Sequence, residues 1–309
     1  MEHASPSFWN IFQKKHKVIH CEAGDPPGIE IKNLTVAYPH NTVISGLTCH
    51  FNVPSLWAIV GPNGGGKSTL LRTLLGLQQP TTGKVVFRGF CPCDVAYLAK
   101  QNQLDRRFPL TVGDTIAMGL FREVGIFKRY TKEQRDKMQV ALEQVGLASF
   151  AKTPLQALSG GQFQRVLFAR LILQDAPVIF LDEPFTGVDT RTIVDLMKLV
   201  HTWVQEKRLV IAVLHDATLV NEHFPNTLLL ARQFYREGAT QKLYDVIIGG
   251  KAQGMQFMDE AIWQKLRDGY VTPMEAYMKA IDKGRFKAFL PPEEQALANA
   301  GGGEETKKK

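Results

Sequence analysis

A glycine-rich segment, Gly61–Ser68, has the spacing G-x-x-x-x-G-K-[ST] and lies between a continuous apolar run and a helical pattern. Its glycines allow backbone N–H groups to turn inward around phosphates, and the Lys67 ammonium could reach the β- and γ-phosphates. The Ser68 hydroxyl could hold Mg²⁺. The candidate nucleotide-binding residues of this segment are Gly61, Pro62, Asn63, Gly64, Gly65, Gly66, Lys67, Ser68 and Thr69. The segment predicts a nucleoside triphosphate site, but it does not indicate which reaction follows.

Two neighbouring carboxylates, Asp182 and Glu183, directly follow the apolar run Val178–Leu181. The carboxyl ends of strands are where α/β sheets bind their ligands. Asp182 is placed to hold Mg²⁺, and Glu183 could act as a general base toward an attacking water. An acidic pair after a strand is by itself usually a solvated loop. Combined with the phosphate loop, the pair predicts the magnesium-binding (Walker B) element of a nucleotide hydrolase.

The elements that must position these residues are buried strands and the helices between them. Leu56–Val60, Val178–Leu181 and Leu209–Leu214 are short continuous apolar runs, typical of strands buried on both faces. Ile29–Ala37 and Thr42–Val53 have the composition of strands, and Thr111–Leu158 is mostly helical in pattern. Strands that alternate with helices predict an α/β fold with a parallel sheet and a helical insertion.

Composition excludes some classes of protein. With 44% hydrophobic and 22% charged residues, the chain is neither wholly disordered nor a coiled coil. Its apolar runs are far shorter than the roughly 18 residues of a membrane span. The N-terminal residues are aromatic first and basic second, opposite to a secretory signal, so we expect a cytosolic chain. The net charge of +7 could indicate a surface near anionic lipid or simply a solvated helical face.

The chain has four cysteines, too few for a disulfide framework in 309 residues. Cys91 and Cys93 flank Pro92 and could be half of a metal site. Because no second pair of cysteines or histidines is nearby in the sequence, the favoured interpretation is two reduced thiols in a loop.

A third segment, Leu158–Gln162, has the sequence Leu-Ser-Gly-Gly-Gln and precedes an apolar helix. Its Ser159 and glycine N–H groups at a helix start could bind an anion. Together with the phosphate loop and the acidic pair, it resembles the signature of the ATP-binding-cassette ATPases. The resemblance covers roughly Ile29 to Gly238.

The resemblance implies roles for further residues. Ser159, Gly160 and Gly161 would close on the ATP held by the phosphate loop of a second copy of the chain. Tyr38 would stack on adenine, Asp189 would belong to the D-loop, and His215 would contact the γ-phosphate. The implied catalytic residues are Glu183, His215 and Lys67, the implied cofactors are ATP and Mg²⁺, and the implied magnesium ligands are Ser68 and Asp182.

One position departs from the family pattern. The glutamine that links Mg²⁺ to the membrane partner in this family falls on Lys100, and the nearest glutamine is Gln101. A charged lysine has donors only and cannot ligate Mg²⁺. Either Gln101 takes this contact after a one-residue shift of the loop, or Lys100 meets the γ-phosphate directly. We favour Gln101.

The resemblance also implies the domain organisation. We expect an N-terminal extension at 1–27, an ATPase domain at 28–245 and a helical C-terminal extension with a flexible tail at 246–309. The ATPase domain would contain a parallel sheet, an antiparallel β subdomain and a helical subdomain at about 100–158. The extension would contain two amphipathic helices, Met258–Leu266 and Thr272–Leu290.

Within the family, several short segments are similar to the ATPase subunits of manganese, zinc or iron importers. They are Tyr97-Leu98, Phe108–Val112 and Glu183–Asp189. The resemblance implies a bacterial ATPase subunit, peripheral on the cytoplasmic face of the cell membrane. Its partners would be a second copy, membrane-spanning permease subunits and an extracytoplasmic metal-binding protein, and no nucleic acid. The alternative is a soluble cassette clamp in DNA repair or translation.

Overall fold

The computed structural model describes residues 19–22, 26–39, 41–100, 106, 108–125, 129–231 and 234–239, with isolated positions between 263 and 291. The chain divides into two compact units, Met1–Gln241 and Lys242–Lys309. In the second unit, the rings of Trp263 and Phe289 pack edge to face at 4.7 Å. Most of the two predicted C-terminal helices lies outside the described residues. The predicted domain boundaries therefore stay a prediction.

A six-stranded sheet carries the predicted site, with the strand order β10-β9-β4-β8-β7-β6. Neighbouring strands are parallel except at β10, which runs antiparallel to β9. The strands are β4 (Ser55–Val60), β6 (Val95–Leu98), β7 (Val178–Asp182), β8 (Leu209–Val213), β9 (Asn226–Ala231) and β10 (Phe234–Ala239). All residues of β7 and β8 are buried, as their continuous apolar sequences predict.

A second sheet of four strands has the order β1-β5-β2-β3 and is antiparallel except where β1 lies parallel to β5. Its strands are β1 (Ile19–Glu22), β2 (Gly28–Tyr38), β3 (Asn41–Asn52) and β5 (Thr82–Arg88). The buried residues Ile29, Ile31, Leu34 and Val36 point into a core shared with the larger sheet. This confirms the predicted antiparallel β subdomain.

Strand β1 lies inside the segment that the sequence predicts as an extension. Only Ile19 of its four residues is buried, so its sequence carries little strand periodicity. The segment forms a strand because its backbone pairs with β5, whose edge it covers.

Seven helices flank the sheets in the described residues. They are α1 (Lys67–Leu74), α2 (Val112–Ala117), α3 (Phe121–Val124), α4 (Lys132–Gln144), α5 (Gly160–Gln174), α6 (Thr190–Gln205) and α7 (Ala217–His223). Helices α2 and α4 pack on α5, which confirms the predicted helical subdomain. Both begin with capping boxes, formed by Thr111 with Asp114 and by Thr131 with Gln134.

The turn between β5 and β6 differs from its prediction. Cys91 and Cys93 are joined in the structure as a disulfide, whereas the sequence favours two separate thiols in a loop. A short 3₁₀ turn, Pro92–Asp94, brings the two side chains together. Spacing alone could not predict this turn.

No helix in the described part of the chain is both long enough and apolar enough to cross a membrane.

Candidate nucleotide-hydrolysis site

The phosphate loop connects β4 to α1 at the carboxyl edge of the larger sheet. Gly66 has a φ of 99° and starts α1, a backbone conformation that favours glycine. A Cβ on Gly65 would lie 2.8 Å from the Leu230 carbonyl oxygen, so only glycine fits against β9 here. The backbone path of this loop therefore requires glycine at both positions.

Lys67 is 6% exposed, and its Nζ donates hydrogen bonds to the carbonyl oxygens of Gly61 at 2.7 Å and Pro62 at 2.9 Å. Burial lowers the pKa of this ammonium, although the Glu183 and Asp182 carboxylates partly offset that effect. The ammonium group is therefore bound to the backbone of its own loop and is close enough to Asp182 and Glu183 to feel their charges.

Asp182 ends β7 and is 2% exposed. Its Oδ2 accepts a hydrogen bond from the Tyr97 hydroxyl at 3.5 Å. Its Oδ1 is buried and has no hydrogen-bond partner among the residues that the structure describes. Burial raises the pKa of this carboxyl. A buried carboxylate oxygen without a partner is costly, and a cation would satisfy it.

Glu183 follows Asp182 with a φ of 51°, a left-handed conformation that is uncommon for a glutamate. Its backbone N–H donates to the Val213 carbonyl oxygen at 3.1 Å, which fixes this turn against β8. A strained backbone of this kind is frequent at functional sites. Here the turn directs the carboxylate toward two other side chains.

Oε1 of Glu183 contacts Nζ of Lys100 and Nε2 of His215. Burial alone would raise the pKa of Glu183, but the hydrogen bonds from Lys100 and His215 outweigh it and lower that pKa. Lys100 follows β6, Glu183 follows β7 and His215 follows β8. Because these three strands are neighbours in the sheet, residues far apart in the sequence meet at one edge.

The signature segment is at the start of α5. Ser159 caps the helix: its Oγ accepts a hydrogen bond from the Gln162 N–H at 3.2 Å, while its own N–H donates to Gln162 Oε1 at 2.9 Å. A Cβ on Gly161 would lie 3.0 Å from Oδ2 of Asp189. Asp189 in turn caps α6 by accepting a hydrogen bond from the Thr192 N–H at 2.9 Å. The structure therefore places two predicted nucleotide-binding residues, Gly161 and Asp189, side by side.

Tyr38 is the last residue of β2, and its side chain is 37% exposed. An exposed aromatic face is available for stacking on a flat ring. Gln101 lies outside the described residues, so the structure does not place it.

Sequence reasoning missed Tyr97 as a site residue. The residue lies in β6 opposite Phe180 of β7, so its hydroxyl reaches Asp182. Burial, followed by the charge of Asp182, raises its pKa to about 12. The short apolar run Val95–Leu98 was the one signal that could have placed this tyrosine on a strand beside β7.

Comparisons with known proteins agree with this geometry. Residues 44–186 match the family described as ABC transporter. A manganese transport system ATP-binding protein of Listeria innocua is 34% identical over 220 residues, which cover 70% of this chain and 92% of that protein. A zinc transport system ATP-binding protein of Treponema pallidum is 35% identical, with 74% of this chain and 90% of that protein covered.

A solved ABC transporter described as of the metal-chelate type, in an inward-facing conformation, shares the fold with a TM-score of 0.62. It is 27% identical and covers 70% of this chain and 84% of that chain. The α/β fold predicted from the sequence is thereby confirmed. The chain belongs to the ABC transporter family, in which it is an ATP-binding protein and an ATPase.

Proposed function

We propose that this chain is the ATPase subunit that energises a bacterial importer of manganese, zinc or iron ions. The observation that carries the ATPase chemistry is the convergence of Lys67, Asp182, Glu183 and His215 at one edge of the sheet. The cargo class is supported by the similarity to manganese and zinc transport proteins. Those relatives do not favour the alternative of a soluble clamp.

The phosphate loop holds the ATP phosphates in this proposal. Lys67 exchanges the carbonyl oxygens of Gly61 and Pro62 for phosphate oxygens, and the free N–H groups at the start of α1 complete the anion site. Tyr38 stacks on adenine. Ser68 and Asp182 would hold Mg²⁺, which fits the buried, unpartnered Oδ1 of Asp182. When bound, Mg²⁺ neutralises charge that develops on the phosphate oxygens.

Glu183 accepts a proton from the attacking water. Its lowered pKa keeps the carboxylate ionised, and the left-handed turn at Glu183 fixes where its oxygens lie. His215 and Lys100 orient the carboxylate, since both contact its Oε1. With Lys100 engaged by Glu183, the neighbouring Gln101 remains our candidate for the magnesium-linked contact.

A second copy of the chain completes each ATP site. Ser159, Gly160 and Gly161 would close on the ATP that the other copy holds, with Asp189 beside Gly161 at the same surface. Closure with ATP and reopening after hydrolysis would drive membrane-spanning permease subunits. The chain would therefore work as a peripheral dimer on the cytoplasmic face, and an extracytoplasmic protein would deliver the metal.

Uptake of radioactive manganese or zinc tests this proposal, using vesicles that contain the chain and the membrane protein with which it co-purifies. We expect ATP-dependent uptake that Lys67→Ala abolishes. Lys198→Ala is the matched control, because Lys198 is an exposed lysine of α6 far from the loop in sequence. A chain that hydrolyses ATP but co-purifies with no membrane-spanning protein would contradict the proposal.

A further inference from the structure

The turn between β5 and β6 gathers three potential metal ligands outside the nucleotide site. The sulfurs of Cys91 and Cys93 and a carboxylate oxygen of Asp94 all lie within 4.8 Å of one another. All three residues are partly exposed, so an ion could reach them from solvent. None of them has a role in the ATPase chemistry described above.

The local backbone forces these groups together. Pro92 occupies the first position of the 3₁₀ turn, which its fixed φ favours. The Cys91 N–H donates to Oδ2 of Asp94 at 3.0 Å, and the Cys93 N–H lies 3.4 Å from the Cys91 sulfur. The Cα atoms of the two cysteines are 5.1 Å apart. The arrangement is therefore held by backbone contacts of the turn as well as by the bond between the sulfurs.

We propose that Cys91, Cys93 and Asp94 bind a thiophilic divalent cation of the zinc class when the cysteines are reduced. Two thiolates, one carboxylate and a water make a four-coordinate set that suits zinc. Thiolate ligands select against manganese and magnesium, which prefer oxygen. Two sulfurs on one tetrahedral zinc ion are about 3.8 Å apart, given Zn–S bonds of about 2.3 Å. Side chains on Cα atoms only 5.1 Å apart can reach that spacing.

Two steps lead from the Cys91–Cys93 disulfide to the cation-bound form. First, two thiols of a small-molecule reductant transfer two electrons and two protons to the Cys91–Cys93 disulfide, and the reductant becomes a disulfide. Second, each freed thiol loses its proton and forms a bond to the cation, while the ionised Asp94 donates an oxygen. Binding of one divalent cation therefore releases two protons.

The site also touches the helical subdomain. Oδ1 of Asp94 contacts the guanidinium of Arg122 in α3, and Asp94 directly precedes β6, which leads to Lys100. A cation that takes the Asp94 carboxylate competes with Arg122 for it. The cation would thus weaken one contact between the helical subdomain and the turn that precedes β6.

Zinc titration of the full-length chain, held reduced by a phosphine, tests the assignment against a chromophoric chelator. We expect one zinc ion per chain, with affinity at least about tenfold weaker in Cys91→Ser and in Cys93→Ser, the scale on which loss of a metal partner is felt. Cys21→Ser is compared with these variants, because Cys21 is an exposed cysteine whose thiol donates to the Phe90 carbonyl oxygen at 3.2 Å, a bond that serine can keep. Burial and then the charge of Asp94 raise the pKa of the Cys21 thiol, so this cysteine lies near the site, and its replacement should weaken zinc binding less than that of Cys91 or Cys93. Mn²⁺ and Mg²⁺ should not displace the zinc.

Arg122→Ala tests whether Arg122 and zinc compete for the Asp94 carboxylate. Exposed ion pairs are weak, so freeing Asp94 should tighten zinc binding by only about twofold to fivefold. Unchanged zinc affinity in Arg122→Ala would contradict the competition for Asp94.

Alkylation gives a second measurement that does not depend on a well-folded variant. Zinc should slow the labelling of Cys91 and Cys93 in the unmodified sequence, whereas Mg²⁺ should not. A reduced chain that retains no zinc, or Cys91→Ser and Cys93→Ser variants that bind it as tightly as the unmodified chain, would overturn the site. Because these experiments measure cation binding, the cation site could be confirmed even if the importer proposal failed. Equally, failure of the cation site would leave the importer proposal unaffected.

Discussion

The two helix starts that we propose for the ATP site differ in what satisfies their first N–H groups. The first N–H groups of any helix lack partners within it. At α1 the preceding residue is Gly66, and no side chain in the described residues caps the helix. At α5, Ser159 and Gln162 satisfy each other in a capping box. The start of α1 therefore has no side-chain cap in the described part of the chain, whereas the capping box at the start of α5 satisfies the Gln162 N–H and does not involve the N–H groups of Gly160 and Gly161.

This difference predicts that the α1 start matters more than the α5 start for nucleotide binding. In our proposal the α1 start holds ATP by itself, since its N–H groups have no side-chain cap among the described residues and Lys67 exchanges its two carbonyl partners for phosphate oxygens. In the same proposal, the α5 start adds its contact only when a second copy presents its ATP. Changes at α1 should therefore abolish nucleotide binding, and changes at α5 should spare binding but impair hydrolysis in the dimer.

The largest effect should come from Lys67→Ala. Removal of this buried ammonium deprives the phosphates of their main charged donor, so we expect ATP hydrolysis to fall by at least about 10²-fold. Binding of a fluorescent ATP analogue should fall as well. Lys198→Ala should leave both unchanged. Retained nucleotide affinity in Lys67→Ala would show that the α1 start is not the primary site.

A smaller effect is expected from Ser159→Ala. Loss of the cap should lower the free energy of unfolding by about 1 kcal/mol. ATP binding to the separate chain should persist, while hydrolysis by the dimer should drop. Thr131→Ala provides the control, since Thr131 forms an equivalent capping box at α4. It should cost the same stability and leave hydrolysis intact.

An equal loss of hydrolysis in Ser159→Ala and Thr131→Ala would break the comparison. In that case the effect of Ser159 would be one of helix stability alone.

The contact between Lys100 and Glu183 should have a more modest effect. Lys100→Gln keeps a hydrogen-bond donor but removes the charge. A single contact of this kind contributes on the order of 1 kcal/mol, and about 1.4 kcal/mol corresponds to a tenfold change in rate, so we expect hydrolysis to fall several-fold. Gln101→Ala should lower it further if Gln101 provides the magnesium-linked contact. Steady-state ATPase rates of the two variants show whether Lys100 or Gln101 matters more for hydrolysis. A harmless Gln101→Ala beside an inactive Lys100→Gln would show that Gln101 makes no magnesium-linked contact and that Lys100 is the working residue of this loop.

The smallest effect is expected at the C-terminus. The second unit begins at Lys242, and every site residue placed by the structure precedes it. A chain ending near Gly250 should therefore still hydrolyse ATP at about the rate of the full chain. Circular dichroism would establish that the truncated chain is folded. Complete loss of activity in a folded truncation would show that the extension completes the site.

The sequence alone could predict the site residues that occur in local motifs. The phosphate loop, the acidic pair and the signature each lie next to a strand or helix whose apolar pattern is visible. The ion pair of Lys100 with Glu183 could not be predicted, because it depends on β6, β7 and β8 being neighbours. Strand β1 was missed for a similar reason, since only its pairing with β5 defines it.

Glu183→Gln tests the central claim most directly, because it removes the proposed base and keeps the size of the side chain. We predict that the variant binds ATP with unchanged affinity, hydrolyses it at least about 10²-fold more slowly and accumulates as an ATP-bound dimer. Glu206→Gln, at the exposed end of α6, controls for the loss of a carboxylate. Turnover near that of the unmodified chain in Glu183→Gln would contradict the account.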